Sequence, residues 1–167
     1  MTVTGMKRRI AMALVNSLFS GLRCFGIKRG LLRWAGHTIG AGTRIVGPLR
    51  CTGTLIVGKN SWIGRDLTVH GNGTVLIGDD CELGPDVTFL TGGHAMGSRT
   101  HRAGPGRSCT IRVEAGCWLS ARTTLAGDIT VGPGSVLAAC GCAVRDIPPN
   151  TLAGGVPARP IRYLHEP

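Results

Sequence analysis

Residues 39–69 read IGAGTRIVGPLRCTGTLIVGKNSWIGRDLTV, and an aliphatic residue returns at every sixth place: Ile39, Ile45, Val57, Ile63 and Val69, with Cys51 filling the gap in register. Glycine directly follows three of them, at Gly40, Gly58 and Gly64. After a two-residue slip around Gly71–Thr74 the spacing resumes at Ile77, Leu83 and Phe89. After a longer break it returns through Val113, Leu119, Leu125, Val131 and Leu137. A helix repeats every 3.6 residues and a half-buried strand every two, so a period of six held over three blocks is a structural repeat. Each hexad makes one short strand and a turn, and three hexads close one triangular coil. The aliphatic residue points inward and stacks on its equivalent one coil away, at a strand spacing of about 4.8 Å. Four places further on, a second inward site is expected to take only small or branched side chains: Thr43, Ser61, Cys81, Val87, Cys117, Thr123 and Ser135. The glycine after the aliphatic residue is expected to adopt a corner conformation costly for other residues. No coil buries its faces alone, so stability comes from neighbour stacking. Spacing leaves the hand of the spiral open.

The rest of the composition agrees. Of 167 residues 27 are glycine, while three Trp, three Phe and one Tyr are the only aromatics. The core must therefore be built from small and aliphatic side chains, which excludes an ordinary helix bundle or an aromatic-rich sandwich. The glycines are not in strict triplets, so collagen is excluded too. Seven cysteines without a CxxC pair fit small buried hydrophobes in a reducing compartment better than a disulfide framework or a zinc site.

The net charge of +10 is unevenly placed. Residues 1–50 hold nine basic side chains (Lys7, Arg8, Arg9, Arg23, Lys28, Arg29, Arg33, Arg44, Arg50) and no Asp or Glu. A nucleic-acid binder would spread its charge over the folded body and interleave aromatics for base stacking, so that role is not expected. The apolar run Ile10–Val15 is broken by Asn16 and Ser17 without a small-residue cleavage site, and no stretch reaches the length of a membrane span, so a cytoplasmic protein is expected. At helical period Ile10, Leu14, Leu18 and Leu22 form a stripe, with Val15 and Phe19 beside it. Such a helix packs on the protein or on a partner subunit, or lies on an anionic membrane surface at the inner face; packing is the preferred reading. The expected organisation is a basic amphipathic helical arm over 1–36, a hexapeptide β-helix over 37–152 with a loop inserted at 90–112, and a C-terminal tail over 153–167.

That inserted loop reads LTGGHAMGSRTHRAGPGRSCTIR and carries His94, Arg99, His101, Arg102 and Arg107 among glycines. A long excursion from a strict solenoid is where function is expected.

These features resemble the hexapeptide-repeat acyltransferases, in particular the maltose/galactoside O-acetyltransferase-like group, over about residues 37–163. The likeness rests on the hexads, on TGGHAMGSR (91–99), on CWLSARTTLAGDITVGPGSVLAACGCAVRDIPPN (117–150), and on LAGGVPARPIR (152–162). It implies an all-β fold, a left-handed parallel β-helix assembled as a homotrimer. It also implies acetyl-CoA along a groove between two subunits as acyl donor, with no metal. By the same resemblance His94 is the catalytic base, and Arg159 and Arg162 are tail residues near the phosphates. Ala121, Ala139 and Arg145 line the groove, and Trp118 flanks it. On the acceptor side Gly64 stands where sugar acetyltransferases of the group carry Asn, with Asp66 two places on. Residues 1–36 have no recognisable counterpart of the acceptor-contacting segment of those enzymes.

Acetyl transfer needs a nucleophile that loses a proton, an electrophilic thioester and a place for the oxyanion. A neutral imidazole near a hydroxyl can take its proton as the C–O bond forms. Backbone N–H groups of the Thr91–Gly93 turn are candidates for the oxyanion. Asp66 or a backbone carbonyl is a candidate to orient His94. Arg99 and His101 in the same loop are candidate acceptor contacts. His70 is read as a structural residue at a coil corner. The acceptor is read as a sugar or glycan hydroxyl, with the amine of an amino or nucleotide sugar as the alternative. Two rivals from other classes are a zinc protein like the γ-class carbonic anhydrases, using His70, His94 and His101, and a non-catalytic trimeric scaffold.

Overall fold

The computed structural model describes residues 3–165, with side chains from Gly5 onward. Its strands, among the described residues, form three sheets of five, seven and five members, parallel except for the antiparallel final strand of the seven-membered one, and one separate two-stranded hairpin. Each sheet is one face of a triangular solenoid, and every hexad position predicted to point inward is buried. On the first face Ile39 stacks on Val57, Ile77, Val113 and Val131. On the second Ile45 stacks on Ile63, Leu83, Leu119, Leu137 and Ala153. On the third Cys51 stacks on Val69, Phe89, Leu125 and Ala143. Each fully buried Leu, Ile or Val in these columns contributes roughly 1.5–3 kcal/mol of transfer free energy.

Two expectations about the hexad need correction. The second inward site is small throughout the second face, and on the third face only at Val87 and Thr123. On the second face Thr43, Ser61, Cys81, Cys117, Ser135 and Thr151 form a buried column that hydrogen-bonds from coil to coil. The Thr43 hydroxyl donates to the Gly58 carbonyl (2.6 Å) and accepts from the Ser61 N–H (3.2 Å), while the Ser61 hydroxyl accepts from the Cys81 N–H (3.0 Å). The thiols of Cys81 and Cys117 bond to the Glu114 and Gly132 carbonyls, each at 3.1 Å. Burial pushes the Cys117 thiol up to about 11 and the Cys81 thiol in the same direction, so these are inert members of a structural ladder. On the first face the equivalent site holds Leu55, Val75, Ile111 and Ile129, and on the third Leu49 pairs with Leu67.

The corner glycines do not adopt the conformation expected of them. Gly64 is not in a left-handed conformation; a Cβ there would lie 2.5 Å from the Gly84 carbonyl oxygen of the next coil. The left-handed residue sits two places later, at Asp66, Asp86, Arg122 and Cys140, with φ of 61°, 60°, 59° and 62°. Asp tolerates this conformation better than most residues. The glycine therefore answers to close approach between coils, and the turn is made by its neighbour.

Helix α1 (Val3–Asn16) and helix α2 (Phe25–Trp34) pack over the N-terminal coils. The stripe Ile10, Leu14, Leu18, Leu22 does not face the protein: Ala11 and Val15 are buried, while Ile10, Leu18 and Leu22 are exposed. Polar side chains set this rotation. The Asn16 amide pairs both ways with Leu49, donating to its carbonyl at 2.7 Å and accepting from its N–H at 2.9 Å. Arg8 donates to the carbonyls of Thr52 and Gly53. Together they satisfy the edge of the first third-face strand, Leu49–Cys51, which would otherwise present unpaired backbone groups. On α2 Leu32 is buried against the first coil, and the buried Lys28 ammonium donates to the Gly21 and Val46 carbonyls. Desolvation lowers the pKa of that ammonium.

His37, just before the first coil, is buried; its Nδ1 accepts the Leu55 N–H at 3.3 Å and its Nε2 has no partner among the described residues. Burial, with the Arg8 charge adding to it, lowers its pKa to about 4. Its folded-state pKa lies below the unfolded value, so the unfolded chain takes up the proton first. Stability is full above about pH 6.5 and is lost as pH falls toward about 4. Melting temperature should therefore drop between pH 7 and 5, and His37→Gln should flatten that drop. Equal slopes in the two proteins would remove His37 as the cause.

Candidate functional site

The excursion at 90–112 is a β-hairpin and not an open loop: Gly92–Met96 pairs antiparallel with Ala103–Ser108, with His94 opposite Gly106. Its strands, GGHAM and AGPGRS, have neither alternation nor β-branched residues and so carry no strand signal. Buried Thr91 anchors its base. The Thr91 N–H and hydroxyl both donate to the His70 carbonyl at 2.8 Å, and its carbonyl accepts the Cys109 N–H at 2.8 Å. The Thr91 N–H is thus committed, and Gly93 is paired with Arg107 in the hairpin ladder, which leaves the Gly92 N–H as the oxyanion candidate of that turn.

His94 is exposed on this hairpin, and its Nδ1 lies 2.8 Å from the Gly104 carbonyl oxygen. A carbonyl oxygen only accepts, so Nδ1 carries the proton and Nε2 presents its lone pair outward. Of the two candidate orienters, the backbone carbonyl holds the ring. Cavities flank the imidazole on both sides. One, of about 430 Å³, is also lined by Leu90, Arg107, Cys109, Ala126 and Asp128. The other, of about 510 Å³, includes Asn72, Gly93, Gly106 and Ser108. Arg107 borders both and lies 3.8 Å from Asp128, whose other oxygen accepts the Thr110 N–H at 2.7 Å. An imidazole in its basic tautomer, two cavities and a guanidinium held by a carboxylate can accept a proton and orient a polar molecule.

The other singled-out residues fall in separate places. Arg145 adjoins Asp146, whose carboxylate takes the Thr130 N–H one coil beyond Asp128, on the same edge of the third face as His94. Ala121 and Ala139 lie on the opposite edge, where the Ala121 carbonyl accepts the Cys140 N–H. Trp118 projects from the second face between Glu82 and Val136, half exposed. Arg159 and Arg162 are on the final strand, Ala158–Tyr163, which runs antiparallel to Thr151–Gly155 and touches strand Cys142–Ala143. Gly64 belongs to a close-packed corner. Asp66 lines another cleft, with Asn16, Arg50, Thr68, Asp86 and Thr88, and forms an ion pair with Arg65 at 3.5 Å. Within one chain, then, Asp66 and Gly64 do not share the His94 cavities. Arg99 and His101 are exposed at the hairpin tip, and His70 is on the third face beside Leu90. Among the described residues no group of three or more His, Cys, Asp or Glu is placed to hold a metal ion.

Gly104, Cys109 and Asp128 were not singled out from the sequence. A signal existed for Asp128: Phe89 and Leu125 are equivalent in the hexad, so the corner after Leu125 must stack beside the corner that launches the hairpin. Nothing comparable marks Gly104, whose role depends on the hairpin register.

No family model matches the chain. Galactoside O-acetyltransferase of Escherichia coli (strain K12) is 32% identical over 110 residues, covering 66% of this chain and 54% of that enzyme. The chain therefore spans about half the length of that curated relative. WcaF of the same organism, named as a colanic acid biosynthesis acetyltransferase, is 29% identical over 136 residues, covering 79% of this chain and 72% of that protein. A hexapeptide-repeat containing acetyltransferase from Vibrio cholerae O1 biovar eltor, solved with acetyl coenzyme A, superposes with a TM-score of 0.84 at 26% identity, covering 98% of this chain and 88% of that one.

Proposed function

Because the chain belongs to the hexapeptide-repeat acyltransferases and shares their left-handed parallel β-helix, we propose that it moves an acetyl group from acetyl coenzyme A to a hydroxyl of a sugar or glycan-type acceptor. The observation that carries this reading is the bond from His94 Nδ1 to the Gly104 carbonyl, which leaves Nε2 as a base beside two open cavities. The names of the relatives support the reaction, and the colanic acid assignment of WcaF supports a polysaccharide unit as acceptor.

The surface suits the donor. Exposed Trp118, Ile161 and Tyr163 offer apolar ground for a pantetheine arm, and Arg159 and Arg162 offer guanidinium groups for phosphates. Arg145 and the small residues Ala121 and Ala139 complete the groove when a second subunit closes it, as a homotrimer would. The bound thioester supplies the electrophilic carbon and the thiol leaving group. His94 Nε2 takes the proton of the acceptor hydroxyl as it attacks, and Nδ1–H holds the ring through the Gly104 carbonyl as positive charge develops. Gly92 offers its N–H to the oxyanion. Arg107, with Arg99, His101 and, from a neighbouring subunit, Asp66 and Gly64, borders the acceptor. Attack is direct, and no cysteine or serine carries the acyl group.

An acceptor screen read by thiol release tests this, with alkaline lability of the product separating ester from amide. Thiol release with a sugar or glycan acceptor and an alkali-labile product is expected. Turnover confined to amino sugars, with an alkali-stable product, would replace O-acetylation by N-acetylation. No acceptor-dependent release across the panel would overturn the reading.

A further inference from the structure

We propose that the outward face of α1, α2 and their connector docks on a membrane surface containing anionic lipid. The helices have already used one side each: Ala11 and Val15 of α1 and Lys28, Leu32 and Ala35 of α2 are buried against the solenoid. The opposite side stays apolar. Met6 and Ile10 on α1, Leu18 and Leu22 in the connector, and Ile27 and Trp34 on α2 are all exposed, Leu18 to 72% and Leu22 to 66%. Lys7 Nζ lies 5.7 Å from the Trp34 ring centroid, which joins the two helices' outer surfaces into one patch. Six large exposed apolar side chains gathered within 29 residues mark an interaction surface, not scattered exposure.

Charge selects the occupant. Residues 1–50 contain nine basic side chains and no Asp or Glu. Four of them are occupied internally, but with neutral partners: Arg8, Lys28, Arg29 and Arg33 donate to backbone carbonyls. That fixes their side chains without cancelling their charge. An apolar patch on a segment of net positive charge matches a lipid surface with negative headgroups, where the apolar residues enter the headgroup–acyl boundary and the cations stay at the phosphates. No described helix is long and apolar enough to cross a membrane, so the contact would be peripheral. Docking of this kind is independent of the acetyl transfer proposed above, and concerns where the protein sits.

The test is cosedimentation of the full-length chain with vesicles of phosphatidylcholine, alone or with about one third phosphatidylglycerol. Binding to the anionic vesicles only is expected, falling several-fold when salt rises from about 0.1 to 0.5 M. The double variant Leu18→Glu, Leu22→Glu should bind at least tenfold less, with unchanged circular dichroism and sedimentation coefficient, because neither side chain supports the fold. Should that variant fail to fold, Ile10→Gln on α1 should give a smaller loss in the same direction. Binding that ignores lipid charge, binding untouched by both variants, or a variant that changes oligomeric state (the face then joining copies of the chain) would overturn the proposal.

Discussion

Replacing His94 by alanine should lower turnover by about 10²–10⁴-fold while leaving acetyl-CoA affinity nearly unchanged. The split follows from the geometry. The ring is exposed, is held at Nδ1 by a backbone carbonyl, and buries no apolar surface that the fold needs. Its removal takes away a proton acceptor and leaves the hairpin, whose pairing is backbone-made, in place. Steady-state kinetics together with a binding isotherm for coenzyme A separate the two quantities. Turnover within tenfold of the unsubstituted protein would remove His94 as the base. A parallel loss of coenzyme A binding would make it a binding residue instead.

The second large effect is on stability. Phe89→Ala should cost about 3–5 kcal/mol, as expected for a buried aromatic truncated to alanine. Phe89 is fully buried and stacks between Val69 and Leu125 on the third face. Its neighbours are strands of rigid parallel sheets, which cannot collapse far into the space left. The cavity would lie directly beneath Leu90 and Thr91, the residues that launch the hairpin. Denaturant midpoints at a fixed protomer concentration, with unchanged slope, give the number. A loss below about 1 kcal/mol would mean that the column repacks around the gap.

The inward columns were readable because stacking imposes a period on the sequence: Ile39, Val57, Ile77, Val113 and Val131 must meet, whatever lies between them. Even the two-residue slip at Gly71–Thr74 and the hairpin at 92–108 leave the register intact. What escaped was set by contacts that carry no period. The rotation of α1 is fixed by Asn16 and Arg8 capping a strand edge, so two smaller residues, Ala11 and Val15, went inside and the larger stripe stayed out. The corner glycines were located but explained by conformation, whereas a neighbouring coil is what excludes their side chains. At the site, His94 was legible as a histidine in a break of the repeat. Its orientation was not, because the Gly104 carbonyl reaches it only through a hairpin that composition does not announce.

A structure of the chain with coenzyme A bound would test the central claim most directly. The pantetheine arm is expected to run along a groove closed by a second copy and to end with its sulfur facing His94 Nε2 across a gap wide enough for a hydroxyl. A sulfur bound in another cleft, such as that of Arg50 and Asp86, or facing no imidazole at all, would contradict it.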